Sequence, residues 1–188
     1  MNRNQSSVKE TMEIGKIEWQ EFQHLFKKET VPAKTILLHE GEISKNAYFI
    51  EKGCLRSWFN HQGTDITFQF FMEGQFVSSI ESFKTSQPSL FNIETIEPSV
   101  VHSITKSHFQ SILDQSPEIE QQVERLTFER LYTYQKLFLS RIKDKPEKRY
   151  LDLIESNPEI VLRVPQHYIA SFLGITPVSL SRIRNRKL

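Results

Sequence analysis

The sequence contains a single cysteine, Cys54, among its 188 residues. One thiol excludes an intramolecular disulfide and every zinc or iron–sulfur site that needs several cysteines. No apolar run is long enough to cross a bilayer, and residues 1–9 lack the apolar segment of a signal peptide. We therefore expect a cytoplasmic protein in a reducing compartment, without a membrane partner.

Histidine is present, but it is not arranged for metal binding. None of the six histidines pairs with another as His-x-His or His-Glu-x-x-His. His39 beside Glu40 and Glu42 is the nearest approach to a cupin-like metal site, but the further histidines of such a site are absent in the required order. There is also no nucleophile–base arrangement and no glycine-rich phosphate loop. We expect no metal, no certain cofactor and no enzymatic activity.

A strong net charge is missing as well, since the formal value is +1. The charges are nevertheless segregated along the chain. From Lys143 onward nine lysines and arginines stand against five acidic residues, and no acid follows Glu159. This split favours a sensing or assembly region followed by a region that binds nucleic acid.

Short apolar–polar segments predict six β-strands between residues 35 and 105. They lie at residues 35–38, 47–51, 55–60, 66–71, 92–96 and 100–104, with glycine turns such as His61-Gln62-Gly63-Thr64 between them. Strands at such intervals predict an antiparallel β-roll of the jelly-roll or double-stranded β-helix type, within an α+β fold. Ahead of them, Ile17, Phe22, Leu25 and Phe26 predict a short amphipathic helix that ends at Val31-Pro32.

A long helix is predicted for residues 117–142, and it carries two apolar stripes. One stripe can pack on the roll, so the second needs another partner, most commonly a two-fold copy of the same helix. We assign the dimer interface to the first stripe, which contains Ile119, Val123, Leu126, Tyr134 and Leu137. The second stripe contains Phe128, Leu131, Phe138 and Ile142. Burial of both stripes within one subunit is the alternative.

Residues 164–187 have the pattern of a helix-turn-helix. Gly174 ends a first helix, Thr176 caps a second, and Pro177 suits the first position of that second helix. A helix of this width fits the major groove of B-DNA, where Arg182 can bind guanine O6 and N7. The predicted DNA contacts are Thr176, Val178, Ser179, Arg182, Arg184, Arg186 and Lys187, with Arg163 or His167 as further backbone contacts. A solvated basic C-terminus on a packed helix pair is the alternative.

Four segments in this order resemble the Crp/Fnr family of bacterial transcription regulators over nearly the whole chain. They are residues 39–42 (His-Glu-Gly-Glu), 48–56 (Tyr-Phe-Ile-Glu-Lys-Gly-Cys-Leu-Arg), 73–76 (Glu-Gly-Gln-Phe) and 169–176 (Ile-Ala-Ser-Phe-Leu-Gly-Ile-Thr). The segment from Ser82 to Ser89 resembles the branch common in Bacteroidetes. The resemblance implies a homodimer with a sensor roll at residues 1–115, a dimerisation helix at 116–142 and a helix-turn-helix domain at 143–188. It also implies a near-palindromic site on double-stranded DNA, with RNA polymerase as a candidate partner.

The predicted ligand loop departs from the cyclic AMP-binding members that the chain resembles. Those members have a glutamate after the loop glycine and an arginine that neutralises the cyclic phosphate, whereas this chain has Gln75 and Pro88 at those places. A phosphate buried without a fixed cation is costly. We expect an unidentified small effector other than cyclic AMP, or none. The candidate effector residues are Gly74, Gln75, Glu81, Ser82, Pro88 and Ser89.

The sequence thus predicts a homodimeric, sequence-specific DNA-binding regulator that is gated by a small effector. Two alternatives stay open. One is a constitutive DNA-binding regulator whose roll is only a scaffold, and the other is a small-molecule-binding β-roll protein without a DNA role. The sequence does not give the effector, the operator, the regulated genes, or the choice between activation and repression.

Overall fold

The computed structural model describes residues 21–187. Its eight strands are β1 Lys27–Val31, β2 Ile36–Leu38, β3 Asn46–Lys52, β4 Leu55–His61, β5 Thr64–Phe71, β6 Phe76–Val77, β7 Asn92–Thr95 and β8 Ser99–Thr105. They form two antiparallel sheets with the strand orders β1-β8-β3-β6 and β2-β7-β4-β5. The antiparallel roll predicted from the sequence is therefore confirmed, with β1 and β6 as strands that the pattern did not predict.

Seven helices lie in the described part of the chain. They are α1 Ile80–Thr85, α2 Lys106–Gln115, α3 Pro117–Lys143, α4 Pro146–Ser156, α5 Pro158–Arg163, α6 Gln166–Phe172 and α7 Pro177–Lys187. Helix α1 interrupts the roll, and the other six follow it. Helix α5 was not predicted, because Asn157-Pro158 has the pattern of a helix end. Proline suits the first helical position, and Pro158 begins a new helix there.

The helix predicted before Pro32 is wrong at the position of strand β1. The sequence predicts a helix that ends at Val31, but the chain passes through a 3-10 turn, Gln23–Leu25, into a strand. The lysines and the glutamate of this segment are good helix formers. Strand β1 nevertheless pairs with β8 from Lys27 to Val31, and such pairing outweighs local propensity. Ile17, the first residue of the predicted helix, lies outside the described residues.

The two sheets enclose an apolar core. Ile50, Leu55, Phe71 and Ile93 are buried between them. At Gly53, directly after β3, a Cβ atom would lie 2.2 Å from the hydroxyl oxygen of Ser99 on the neighbouring strand β8, and φ there is +109°. Only glycine fits this turn between β3 and β4.

Helix α3 runs along the outside of the roll. The Ser116 hydroxyl caps it by accepting from the Ile119 amide at 3.3 Å. Within this one subunit none of its residues is fully buried. Arg130 ties the helix to the roll, since its guanidinium donates to the Phe76 carbonyl at 2.9 Å and lies 5.1 Å from the centre of the Phe71 ring.

The roll and helices α4–α7 share one hydrophobic core. Cys54, Phe70 and Ile96 of the roll belong to the same buried cluster as the apolar faces of the helices. The helical members are Tyr150, Leu153, Ile160, Val164, Ile169, Ala170, Leu173, Leu180 and Ile183. Cys54 is a buried free thiol, and burial raises its pKa to about 12.

An ion cluster joins helix α5 to the roll beside this core. The Arg163 guanidinium donates to Glu73 at 2.7 and 2.9 Å, to Glu159 at 3.3 Å, and also to Glu97. Hydrogen bonds from Arg163 lower the pKa of Glu73 to about 2, against its partial burial. In the sequence Arg163 was a candidate for DNA backbone contact, but here it is held by three carboxylates.

We predict that Glu73→Gln makes the free energy of unfolding fall less steeply as the pH is lowered into the acid range. Because the pKa of Glu73 is lowered from 4.5 to about 2, its ion pair contributes above pH 4.5 and is lost as the pH falls toward 2. The free energy of unfolding, measured in urea between pH 5 and pH 3, should fall more steeply for the wild type than for the variant. Glu120→Gln, on the exposed side of α3, controls for the substitution itself. Parallel slopes for wild type and Glu73→Gln would contradict the prediction.

Candidate nucleic-acid interface and effector cavity

Helices α6 and α7 form the predicted helix-turn-helix. Gly174 has φ +67°, and its amide bonds back to the Ser171 carbonyl at 2.9 Å, while the Ile175 amide bonds to the Ala170 carbonyl at 3.0 Å. This left-handed glycine ends α6 and satisfies its last carbonyls. Thr176 then caps α7, since its hydroxyl accepts from the Ser179 amide at 3.1 Å.

The two faces of α7 differ in character. Leu180 is fully buried and Ile183 nearly so, which fixes the helix against α6. The opposite face exposes Val178 (61 % accessible) and Arg182. The other predicted contacts divide as follows: Thr176 and Arg186 are exposed, Ser179 and Arg184 are half-buried, and Lys187 is the last residue of the helix.

The arginines of α7 have no carboxylate partner in the described part of the chain. Arg182, Arg184 and Arg186 form no ion pair with any residue between 21 and 187. This short helix therefore carries three guanidinium groups, two exposed and one half-buried, that no carboxylate of the described chain neutralises. Such a surface attracts a polyanion.

Two further arginines hold the turn of the helix-turn-helix. Arg141, near the end of α3, donates to the Phe172 carbonyl at 2.7 Å. Arg149, on α4, donates to the Leu173 carbonyl at 2.6 Å and to the Asp144 carbonyl at 2.7 Å. Cations at the C-terminal end of a helix complement its dipole. No pattern in the sequence predicts these contacts, because the partners are backbone oxygens 24 and 31 residues away.

A small cavity lies between the roll and α3. Its volume is about 160 Å³, and it is lined by Ser78, Ser79, Ile80, Glu81, Ser82, Pro88, Leu90, Phe91 and Tyr134. No lysine or arginine is among these residues, whereas one carboxylate, Glu81, is. Burial raises the pKa of Tyr134, which reaches the cavity from the long helix. The wall thus offers hydroxyl groups, apolar surface and one acid.

The six predicted effector residues are only partly brought together. Glu81, Ser82 and Pro88 line the cavity, whereas Gly74, Gln75 and Ser89 are absent from its wall. Gly74 and Gln75 form the turn before β6, where the Gln75 side chain accepts from the Met72 amide at 3.1 Å. The Ser89 hydroxyl is used within its own turn, since it donates to the Phe91 carbonyl at 2.8 Å.

The two stripes of α3 have different surroundings. Ile119, Val123, Tyr134 and Leu137 of the first stripe are half-buried against their own chain, and Leu126 is 38 % exposed. In contrast, all members of the second stripe are 52–70 % exposed: Phe128, Leu131, Phe138 and Ile142. The second stripe is therefore a row of apolar side chains that the described chain leaves uncovered, and Tyr132 and Leu139 on the same helix are exposed as well.

Metal-binding clusters and membrane-spanning helices were two further possibilities for the described residues. No group of three or more His, Cys, Asp and Glu side chains within residues 21–187 is placed to hold a metal ion. None of the helices in that range combines the length and the apolar character that a membrane span requires.

Residues 28–116 match the family model of the cyclic nucleotide-binding domain. No curated protein sequence matches the chain. Three similar solved structures are the c-di-GMP-responsive global regulator CLP of Xanthomonas campestris, FixK2 of Bradyrhizobium japonicum and a CooA mutant of Carboxydothermus hydrogenoformans. Each is 15% identical to this chain.

These similarities extend over most of both chains. The match to CLP covers 90% of this chain and 89% of CLP, with a TM-score of 0.74. The match to FixK2 covers 86% of this chain and 83% of FixK2, with a TM-score of 0.75. The match to CooA covers 89% of this chain and 78% of CooA, with a TM-score of 0.71. At such low identity they show the fold alone. The Bacteroidetes branch stays a prediction. The chain therefore has the fold of Crp/Fnr-family regulators, in which a cyclic nucleotide-binding-type roll precedes a helical region.

Proposed function

We propose that the chain is a homodimeric, sequence-specific DNA-binding transcription regulator of the cytoplasm. The observation that carries this proposal is the outer face of α7. It exposes Val178 and Arg182 beside a helix start capped by Thr176, and no acid of the described chain pairs with its arginines. Arg182 and Val178 would contact base edges in the major groove, and Ser179, Arg184, Arg186 and Lys187 would contact phosphates.

The uncovered stripe of α3 supports the proposed dimer. Phe128, Leu131, Phe138 and Ile142, with Gln135 between them, are spaced 3, 4, 3 and 4 residues apart. This spacing forms the seam of a two-stranded coiled coil. Exposed aromatic and aliphatic side chains in one row mark a protein interaction site. We therefore place the centre of the interface on this stripe, and the other stripe, which includes Leu126, at its border.

A two-fold dimer would present two copies of α7 to DNA. Helices related in this way bind successive major grooves, about 10–10.5 base pairs apart, and address a near-palindromic site. The domain division at residues 115 and 142 belongs to the same proposal, with the roll as sensor and α3 as the dimerisation helix. RNA polymerase is the partner through which such a regulator would act on transcription.

The cavity supports an effector that is not a cyclic nucleotide. Its volume of about 160 Å³ is well below the ~300 Å³ at which pockets for drug-sized ligands begin. It also lacks a cation for a phosphate, and it contains Glu81. A small uncharged or cationic molecule that bonds to the hydroxyls of Ser79, Ser82 and Tyr134 fits this wall.

Arg182→Ala tests the proposed base contact. It should weaken binding to the preferred duplex by about 1–3 kcal/mol and relax the sequence preference at one position of each half-site. Arg186→Ala, on the same helix, should instead weaken binding to all duplexes equally and lower the salt slope by about one. Fluorescence anisotropy at several salt concentrations separates the two patterns. If Arg182→Ala leaves both affinity and preference unchanged, α7 is not the recognition helix.

Phe138→Glu tests the proposed dimer seam. A carboxylate at the centre of an apolar seam is costly to bury, so the variant should sediment as a monomer at concentrations where the wild type is a dimer. Thr133→Glu, which lies on the opposite side of α3, should stay dimeric. Equal dimerisation of Phe138→Glu and the wild type in analytical ultracentrifugation would contradict this interface.

Cyclic AMP should not stabilise the protein. A ligand at a hundred times its Kd raises the stability of the folded state by about 2.7 kcal/mol, which a thermal melt detects readily. We expect an unchanged Tm in millimolar cyclic AMP or cyclic GMP. A saturable rise in Tm with either nucleotide would contradict the prediction.

A further inference from the structure

Helix α6 covers an exposed sheet edge of the roll. Strand β5 is the outermost strand of its sheet, so alternate backbone groups on its outer side have no strand to pair with. The Ser171 hydroxyl meets two of them, because it accepts from the Thr67 amide at 2.9 Å and donates to the Asp65 carbonyl at 2.8 Å. A side chain of the helix-turn-helix thus takes the place of a neighbouring strand.

A buried arginine lies beneath the same contact. Arg56 on β4 is 2 % exposed, and its guanidinium bonds to Glu94 at 2.6 and 2.8 Å and to the Thr67 hydroxyl at 3.1 Å. Two aromatic rings lie close to the guanidinium, with the centre of the Trp58 ring at 4.7 Å and that of Tyr168 at 3.7 Å. Tyr168 belongs to α6, so a cation–π contact joins the roll to the helix-turn-helix.

Apolar contact continues along the edge. The rings of Phe70 on β5 and Phe172 on α6 lie 5.2 Å apart, in a tilted arrangement. Tyr168, Ser171 and Phe172 therefore place one face of α6 against the edge of β5 from one end of the helix to the other. The contact is specific in its chemistry, since it combines hydrogen bonds to backbone, a cation–π pair and an aromatic pair.

The docked arrangement leaves the DNA face of α7 open. Val178 and Arg182 remain exposed, while Leu180 and Ile183 pack into the core that Phe70 shares. A contact that hid these exposed residues would be inhibitory. This contact instead fixes the direction in which α7 points relative to its own roll.

We propose that the outer edge of β5 is a docking site for α6 and sets the orientation of the recognition helix, with Tyr168 and Ser171 as positioning residues and Arg56 as their anchor. The proposal rests on the DNA-binding function proposed above. In a dimer, fixed orientation holds both copies of α7 at the spacing of two half-sites. The second half-site then binds at a high effective concentration, which is lost when either copy rotates freely.

Tyr168→Leu tests the proposal, with Tyr168→Phe as the matched control that keeps a ring over the guanidinium. The first readout is hydrogen exchange of the Thr67 amide, whose acceptor is the Ser171 hydroxyl. This amide should exchange slowly in the wild type and in Tyr168→Phe, and at least tenfold faster in Tyr168→Leu. Ser171→Ala, a smaller change, should speed the same amide directly.

The second readout compares two duplexes, one with both half-sites and one with a single half-site. Tyr168→Leu and Ser171→Ala should lose on the order of tenfold in affinity for the double site and less than threefold for the single site. Tyr168→Phe should bind both duplexes like the wild type. This split separates positioning from a general loss of folded protein, which would weaken binding to both duplexes alike.

Three results would overturn the proposal: unchanged Thr67 exchange in Tyr168→Leu and Ser171→Ala, equal losses on the two duplexes, or a Tyr168→Phe variant that behaves like Tyr168→Leu. If the wild type prefers no duplex at all, the proposed DNA-binding function fails. The exchange of Thr67 still decides in that case whether α6 docks on β5, since it needs no DNA.

Discussion

The edge of strand β5 has to be covered, and helix α6 covers it. An uncovered edge exposes unpaired backbone groups and invites pairing with another chain. Here the Ser171 hydroxyl and the Phe172 ring close it, and the same helix leads through Gly174 into α7. The direction of α7 therefore follows from the roll, because rotating the helix-turn-helix would expose both the edge and the shared apolar core around Phe70.

This constraint limits how an effector could act. A hinge between roll and helix-turn-helix would have to break the core, the Arg56–Tyr168 contact and the Arg163 ion cluster together. Helix α3 offers a less costly route. It lines the cavity through Tyr134, holds the roll through Arg130, and reaches the Phe172 carbonyl through Arg141. In the proposed dimer, a ligand that shifts α3 would therefore change the relation between the subunits without opening the contact between α6 and β5.

Local patterns in the sequence were enough to predict the roll and the helix-turn-helix. The alternation in strands, the glycine at 174 and the cap at Thr176 each depend on near neighbours. Contacts between distant segments could not be predicted in this way. Ser171 and Tyr168 have the pattern of ordinary helix residues, and only the fold brings them to Thr67 and Arg56. Strand β1 was missed because its partner lies some 70 residues along the chain.

DNA recognition by two oriented copies of α7 is best tested by selecting bound sequences from a pool of random duplexes. The purified 188-residue chain would be used at near-physiological salt, with and without cell extract as a source of effector. We expect enrichment of a two-fold-symmetric sequence whose half-sites lie about 10–10.5 base pairs apart, centre to centre. Absence of any enriched sequence under both conditions would contradict DNA recognition by α7, and enrichment of one unpaired half-site would contradict two rigidly oriented copies of that helix.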